Sequence, residues 1–360
     1  MFHRECGYYK TSYEADQAVL PFPIAKQAII GFAVIFLLIF PFMASDYYLS
    51  QLSLVGIAVV GALGLNILLG YTGQISIGHA AFMSVGAYTA ANLVTRIEIG
   101  GEPLPFFIAV PAGGCMAALV GLVVGIPSLR VKGLYLAIAT LAAQFIIEWT
   151  INHTPAISGG IAAAIEVDRP NLFGWKMNEQ WELYLFIMFF AILAIMATIN
   201  LIRSRVGRAL VAIRDQDIAA EIIGISVFRY KLYAFAISSF FAGVTGVLYM
   251  YYFSIATYEQ FQIVVSIDFL AMCIIGGLGS IVGTIFGAFF IIMLPVVIRL
   301  VMEIIGPWFM DPSYLPQVIG QLRLVFFGGL IITFLILEPE GLNRLWQNIR
   351  NYFRVWPFSY

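Results

Sequence analysis

The chain has 360 residues, of which 61% are hydrophobic and only 11% charged, with a formal net charge of −1 and a mean hydropathy of +0.92. Soluble domains carry roughly 25% charged residues, so a soluble fold is excluded and a polytopic membrane protein remains. The total charge says nothing about partners, because in a membrane protein the distribution of charge carries the information.

The first 23 residues are a polar tail with several acids, too long and too acidic for a cleavable signal. An apolar run of about 20 residues crosses the hydrocarbon, and that ruler predicts ten spans: 24–43, 49–69, 75–95, 105–125, 133–151, 182–202, 232–253, 263–281, 283–303 and 321–337. The expected fold is therefore an all-α bundle of about ten spans, residues 24–337, with an outer loop at 152–181 and a tail at 338–360.

Orientation follows from the stretch 203–231, RSRVGRALVAIRDQDIAAEIIGISVFRYK, with six Lys/Arg in an otherwise apolar chain. A basic loop of this kind lies in the cytoplasm. Counting outward puts both termini there too, with 14 of the 19 Lys/Arg on the cytoplasmic side and Arg96, Arg169, Lys176, Arg299 and Arg323 on the other. The loop lacks Pro and carries Ala209, Ala212, Ala219 and Ala220, which favour helix. It is either a solvated topogenic loop or a short helix, 207–224, presented to a partner.

Two membrane regions are rich in small residues. Gly70 to Asn92, GYTGQISIGHAAFMSVGAYTAAN, carries Gln74, Ser76 and His79 among glycines and alanines. Small side chains let helices pack closely, and an unwound entry at membrane depth is tolerated only against protein or a water-filled cavity. This segment is expected inside the bundle, lining a route with Gly73, Gln74, Ser76, Gly78 and His79. Helical spacing would put Ser76, His79 and Met83 near one face, and packing is the competing account of that face. In Gly276 to Gly287, GGLGSIVGTIFG, the glycines either form a close-approach stripe or turn the chain between two half-spans. Ionisable groups inside spans mark function by default. Here they are Glu148, Asp268, Arg299 and His79, of which Glu148 and Arg299 stand near span ends.

The residues offer no catalysis. There is no nucleotide-binding loop, no HExxH and no GxSxG elbow around Ser158, and the three histidines are scattered. Cys6 lies in the tail, whereas Cys115 and Cys273 sit in apolar runs as small hydrophobes. No cofactor, metal or disulfide is expected. What remains is a channel or transporter subunit without an energy source of its own. A gradient-driven carrier would show inverted repeats and paired intramembrane carboxylates, and neither is evident.

Five motifs in order, GYTGQISIGHAAFMSVGAYTAA at 70–91, LRVKGLYLAIATLAAQFI at 129–146, SRVGRALVAIRDQDIAAEIIGI at 204–225, IIGGLGSIVGTIFGAF at 274–289 and EPEGL at 338–342, resemble the M-type permease subunit of branched-chain amino-acid ABC importers. The resemblance implies an ATP-driven importer of the bacterial inner membrane. Its expected partners are a second permease subunit, cytoplasmic ATP-binding subunits and an extracytoplasmic binding protein, in the lipid bilayer and without nucleic acid. It further implies a coupling loop that docks on the ATPase. Ala219, Ala220 and Gly224 fit its Ala-Ala-x3-Gly spacing, with Ile218 where Glu would stand, and Gly207, Arg208, Arg214 and Asp215 precede them. The outer loop holds Ser158, Gly159 and Gly160, followed by Ile-Ala-Ala-Ala-Ile where the family has a polar, Gly-containing turn. Branched-chain amino acids are the implied cargo, with urea, short amides or another small carboxylate as alternatives. A gradient-driven carrier is the alternative of a different class.

Overall fold

The computed structural model describes residues 44–305, apart from 100–101, 132, 161–163 and 173–174, together with Pro41 and scattered positions between 321 and 344. The N-terminal tail, the first expected span except Pro41 and about half of the tenth lie outside the described residues.

Among the described residues, five helices pass through the bundle before its basic loop: α1 (Asp46–Thr72), α2 (His79–Arg96), α3 (Phe106–Ser128), α4 (Leu134–His153) and, beyond the one-turn α5 (Pro155–Ser158), α6 (Gln180–Arg203). The basic loop holds α7 (Arg205–Asp215) and α8 (Asp217–Ile222). Then come α9 (Val227–Phe253), a 3-10 turn (Tyr258–Phe261), α10 (Ile263–Gly276) and α11 (Ile281–Ile305). Among the described residues, seven helices are long and apolar enough to cross a membrane. The chain is a multi-pass helical membrane protein.

Three short antiparallel pairs qualify the all-α expectation: β1 (Glu98–Ile99) with β2 (Glu102–Pro103), β3 (Ala164–Glu166) with β6 (Ile255–Thr257), and β4 (Asn171–Leu172) with β5 (Trp175–Lys176). The β3–β6 register opposes Ile165 to Ala256, and Ile165 packs on the core. This accounts for part of the apolar patch in the outer loop: its last residues form a strand pinned to the end of α9.

α1 is buried over most of its circumference, enclosed by α6, α9, α10 and α11, while α2 and α3 pack on α9 and on each other. Lipid supplies no hydrophobic drive between helices, so close backbone approach has to replace it. A Cβ on Gly243 would stand 2.8 Å from the Gly113 carbonyl oxygen and 3.0 Å from the Gly114 Cα. On Gly86 it would overlap the Gly243 backbone, and on Gly246 the Met83 carbonyl. Small residues at 86, 113, 243 and 246 thus set the spacing of α2, α3 and α9.

Because the obstacle at Gly246 is backbone, relaxation is difficult, and overpacking costs about 1–3 kcal/mol or more. Gly246→Ala is expected to lower the thermal midpoint of the purified protein by several degrees. Gly328→Ala, where no atom of the described residues lies within 4 Å, leaves it unchanged. Equal midpoints for both variants would contradict this packing account.

Candidate functional site

α1 does not run on into α2. Gly73, in the left-handed region at φ 67°, ends α1 with its N–H donating to the Leu69 carbonyl at 3.1 Å, while the Gln74 N–H donates to the Leu68 carbonyl at 3.1 Å. This two-bond cap is a helix stop that glycine adopts without steric cost. Residues 73–78 then run without helix until His79. The expected span from 75 therefore begins later, and Ser76 lies outside α2, so its supposed alignment with His79 and Met83 on one helix face does not arise.

A helix start leaves backbone N–H groups without intrahelical partners, and Gly78 has no side chain to cap them. Neighbouring helices do so instead. The Ile77 N–H donates to Thr140 Oγ1 (3.0 Å), the Ala80 N–H to Ser266 Oγ (2.9 Å) and the Ala81 N–H to Gln144 Oε1 (2.8 Å). Gln144 also donates from Nε2 to the Phe261 carbonyl at 2.9 Å. Thr140 stands six residues along α4, about 9 Å from its start, so α2 begins inside the bundle. Gly78 lets α4 approach, since a Cβ there would stand 2.5 Å from the Thr140 carbonyl oxygen. At its far end α2 is tied to the outer loop: Asn92 Nδ2 donates to the Ile157 carbonyl (2.7 Å) and Arg96 Nη2 to the Ala156 carbonyl (2.6 Å).

Gln74, Ser76 and His79 are all buried. His79 faces the Phe269 ring at 5.3 Å, and its Nε2 has no hydrogen-bond partner among the described residues. Gly73 is exposed and Gly78 buried. Asp268 is half-buried, roughly on the opposite side of α10 from Ser266, two positions away. Ser266 and Phe269 are the α10 residues that meet the start of α2. Arg299 pairs with Glu303 at 2.7 Å.

Between α10 and α11 the glycines do both things open to them in the sequence. Gly277 and Gly279 have φ of 108° and 76° and turn the chain. Gly276 and Gly287 are in van der Waals range of each other's helix, a Cβ on Gly287 falling 2.9 Å from the Gly276 Cα. Asn66 of α1 holds this turn, donating from Nδ2 to Thr284 Oγ1 (2.8 Å) and the Ser280 carbonyl (3.2 Å), and accepting at Oδ1 from the Gly279 N–H (2.9 Å). Gly341 of the EPEGL motif rests on the same turn, where a Cβ would stand 2.6 Å from both the Gly277 N and the Ile275 carbonyl oxygen.

The basic loop is folded onto this junction. Ser204 caps α7, accepting the Gly207 N–H at 3.3 Å. One face of α7 (Gly207, Ala209, Leu210 and Ile213) is buried. Arg214 crosses to α1, its Nη1 donating to the Gly70 carbonyl at 3.0 Å, while its Nε and Nη2 hold Asp215 Oδ1 at 3.2 and 3.1 Å. The stretch 207–224 is not one helix. It breaks at Gln216, whose backbone is extended (φ −161°), because Asp217 opens a new helix, where an acid is favoured, with Lys231 of α9 at 3.8 Å.

The expected coupling residues therefore separate by exposure. Arg208 and Ala219 face solvent, as does Gly224 at φ 89°, whereas Gly207 and Ala220 are packed against the chain itself. The outward apolar surface of α8 is Ile218 with Ile222 and Ile223, the last two 80% and 73% exposed. In the outer loop Ser158 is buried, its Oγ donating to the Thr154 carbonyl at 3.2 Å, and Gly159 and Gly160 follow at φ 79° and 136°. Asn66, Gln144, Thr140 and Ser266 are the residues that a survey of ionisable groups passes over. An uncharged amide in a long apolar run is the signal that points to Asn66 and Gln144.

The multi-pass bundle, a broken helix pair and a folded basic loop define a helical membrane transport protein. A model of the family described as the branched-chain amino acid transport system / permease component matches residues 47–335. The high-affinity branched-chain amino acid transport system permease protein LivM of Escherichia coli is 30% identical over 325 residues, covering 84% of this chain and 71% of that protein. Its Salmonella typhimurium namesake is 29% identical with the same coverage. The probable branched-chain amino acid transport permease protein LivM of Methanocaldococcus jannaschii is 24% identical over 80% of this chain and 90% of that protein. No solved structure matches the chain. The chain belongs to the branched-chain amino acid transport permease family.

If Gln144 caps α2, Gln144→Leu strands the Ala81 N–H and the Phe261 carbonyl, each at about 1–3 kcal/mol. Hydrogen exchange at Ala80 and Ala81 is expected to accelerate by more than tenfold while the middle of α9 keeps its protection. Unchanged exchange at the start of α2 would show that the cap is dispensable.

Proposed function

We propose that the chain is one permease subunit of an ATP-driven importer in the bacterial inner membrane, moving branched-chain amino acids handed over by an extracytoplasmic binding protein. The observation that carries this reading is the attachment of α7 to the last turn of α1, just before the break that leads to α2, through Arg214 and Gly70. A separate ATPase docks on the basic loop, meeting the exposed Ile218, Ile222 and Ile223 and the charges of Arg208 and Asp215. Its motion, on hydrolysis, reaches the membrane helices through Arg214. A second permease subunit completes the route.

In this reading the bundle has about ten spans and both termini are cytoplasmic, with the tails at 1–23 and 338–360 and the transmembrane domain between them. The outer loop, with Ser158, Gly159 and Gly160, faces the binding protein and is fastened to α2 by Asn92 and Arg96. The route runs along Gly73, Gln74, Ser76, Gly78 and His79, with Asp268 nearby on α10. The side chains of Gln74, Ser76 and His79 are enclosed in the described conformation, so cargo reaches them when α2 and α10 separate. A mildly polar surface without fixed charge suits a small zwitterion that must not be held tightly, since differential rather than uniform binding drives turnover.

The test is reconstitution. The chain assembled with the ATPase, a second permease and the binding protein is expected to accumulate labelled leucine only with ATP, and not labelled urea. The chain alone under a proton or sodium gradient is expected to take up neither. Leucine uptake by the chain alone would replace this reading with a gradient-driven carrier, and urea accumulation by the complex would replace the cargo.

A further inference from the structure

A cavity of about 160 Å³ lies where the 73–78 segment, the α3–α4 connection and the basic loop meet. Three of its walls are apolar, supplied by Leu129, Val131 and Leu136. Its polar lining is Gln74, Asp217 and Lys231. The volume is well below the roughly 300–1,000 Å³ of pockets for drug-sized ligands, so a nucleotide does not fit and one small molecule does.

The chemistry of that molecule follows from the polar side chains. Gln74 is 3% exposed. Its Nε2 donates to Thr72 Oγ1 at 2.9 Å and toward the Lys231 carbonyl at 3.5 Å. The Thr72 hydroxyl spends its own hydrogen on the Leu68 carbonyl, so it accepts from Gln74 and the amide cannot be turned over. Gln74 Oε1 is thereby left buried without a partner among the described residues, a condition that costs about 1–3 kcal/mol. Lys231 Nζ and Asp217 Oδ2 stand 3.8 Å apart with side chains 20% and 31% exposed, a wide separation for an ion pair that presents both signs of charge to one small space. A lone anion or a lone cation would satisfy half of this set. A zwitterion with a short apolar side chain matches both charges: carboxylate to Lys231, ammonium to Asp217, side chain among Leu129, Val131 and Leu136.

We propose that this cavity is a binding site for a free α-amino acid with a branched aliphatic side chain, at the cytoplasmic end of the route. The inference rests on the transport reading above, and adds to it a place where released cargo pauses in direct contact with α8. Gln74 belongs to the segment that leads to Ser76 and His79, and Asp217 is the first residue of α8. An occupant therefore touches the route and the coupling helices at once.

The experiment is cysteine protection in the assembled transporter. Cys6, Cys115 and Cys273 are replaced by alanine, Val131→Cys is introduced, and a membrane-impermeant maleimide is applied to inside-out vesicles without ATP. Leucine is expected to slow labelling at 131 severalfold, whereas leucinamide and 4-methylpentanoate, each lacking one charge, are not. Labelling of Ile222→Cys, on the exposed face of α8, is expected to be indifferent to leucine. Adding Asp217→Asn is expected to abolish protection at 131. Leu129→Cys reads the same wall should the first variant fail to assemble. The site is overturned if leucine gives no protection, which would mean a cavity filled by water alone. It is also overturned if the two singly charged analogues protect equally, or if position 222 is protected as well. ATP-driven leucine uptake into right-side-out vesicles of the same preparation separates the two claims. Uptake without protection removes the site and leaves the transport reading, and protection without uptake does the reverse.

Discussion

A carboxamide placed in the middle of an apolar helix has no water to turn to, so it must complete its hydrogen bonds with protein or destabilise the fold by several kcal/mol. Asn66 completes them on one object, the turn between α10 and α11: two donors to Ser280 and Thr284, one acceptor for the Gly279 N–H. The rest of the arrangement depends on that clamp. It brings the turn so close to α1 that a Cβ on Gly70 would overlap both the Asn66 amide and the Gly279 backbone. The Gly70 carbonyl, at the last turn of α1, is then the acceptor that Arg214 finds, and Gly341 seats against the other side of the same turn. Three motifs distant in sequence meet at one point because a single amide had to be satisfied.

Around this junction the bundle is built to move in steps. Where glycines bring backbones into contact, as at Gly86, Gly243 and Gly246, sliding by a fraction of an ångström meets hard repulsion. Close-packed interiors of this kind are bistable and do not deform smoothly. The two ends of α2 are different. Its first turn is held by three side-chain oxygens from α4 and α10, and its last by two bonds to the outer loop. Hydrogen bonds of about 1 kcal/mol each can be exchanged without breaking a helix. α2, locked to α9 at Met83 and Gly86, connects the outer loop to the junction with the basic loop through these exchangeable bonds at its two ends.

Much of the bundle was legible from residue counts. The runs at 49–69, 105–125, 133–151, 182–202 and 283–303 are long and apolar enough that only helices satisfy their backbones in lipid, and each is a helix in the structure. The start of α2 was not legible, because Gly-Tyr-Thr-Gly is compatible with either a helix or a stop. The choice was made by Thr140, Gln144 and Ser266, which come from elsewhere in the chain. The basic loop was legible as a folded, helical element, but its break at Gln216 was not, since it depends on Asp217 meeting Lys231 across the loop. Exposure inverted part of the coupling pattern for a similar reason. Ala220 is 2% exposed and Ile222 80%, and which side of a six-residue helix faces its own bundle is fixed by tertiary contact alone.

The central claim is that Arg214 carries the work of the ATPase from the basic loop to the membrane helices. It is tested most directly by measuring ATP hydrolysis and leucine uptake together in proteoliposomes of the complete transporter with Arg214→Ala. The bond to Gly70 involves a charged donor, worth about 1.5–3 kcal/mol, which corresponds to about tenfold or more. Leucine moved per ATP should fall by at least about that factor while hydrolysis continues, and Arg214→Lys should recover part of the loss. Unchanged leucine moved per ATP in Arg214→Ala would contradict the account.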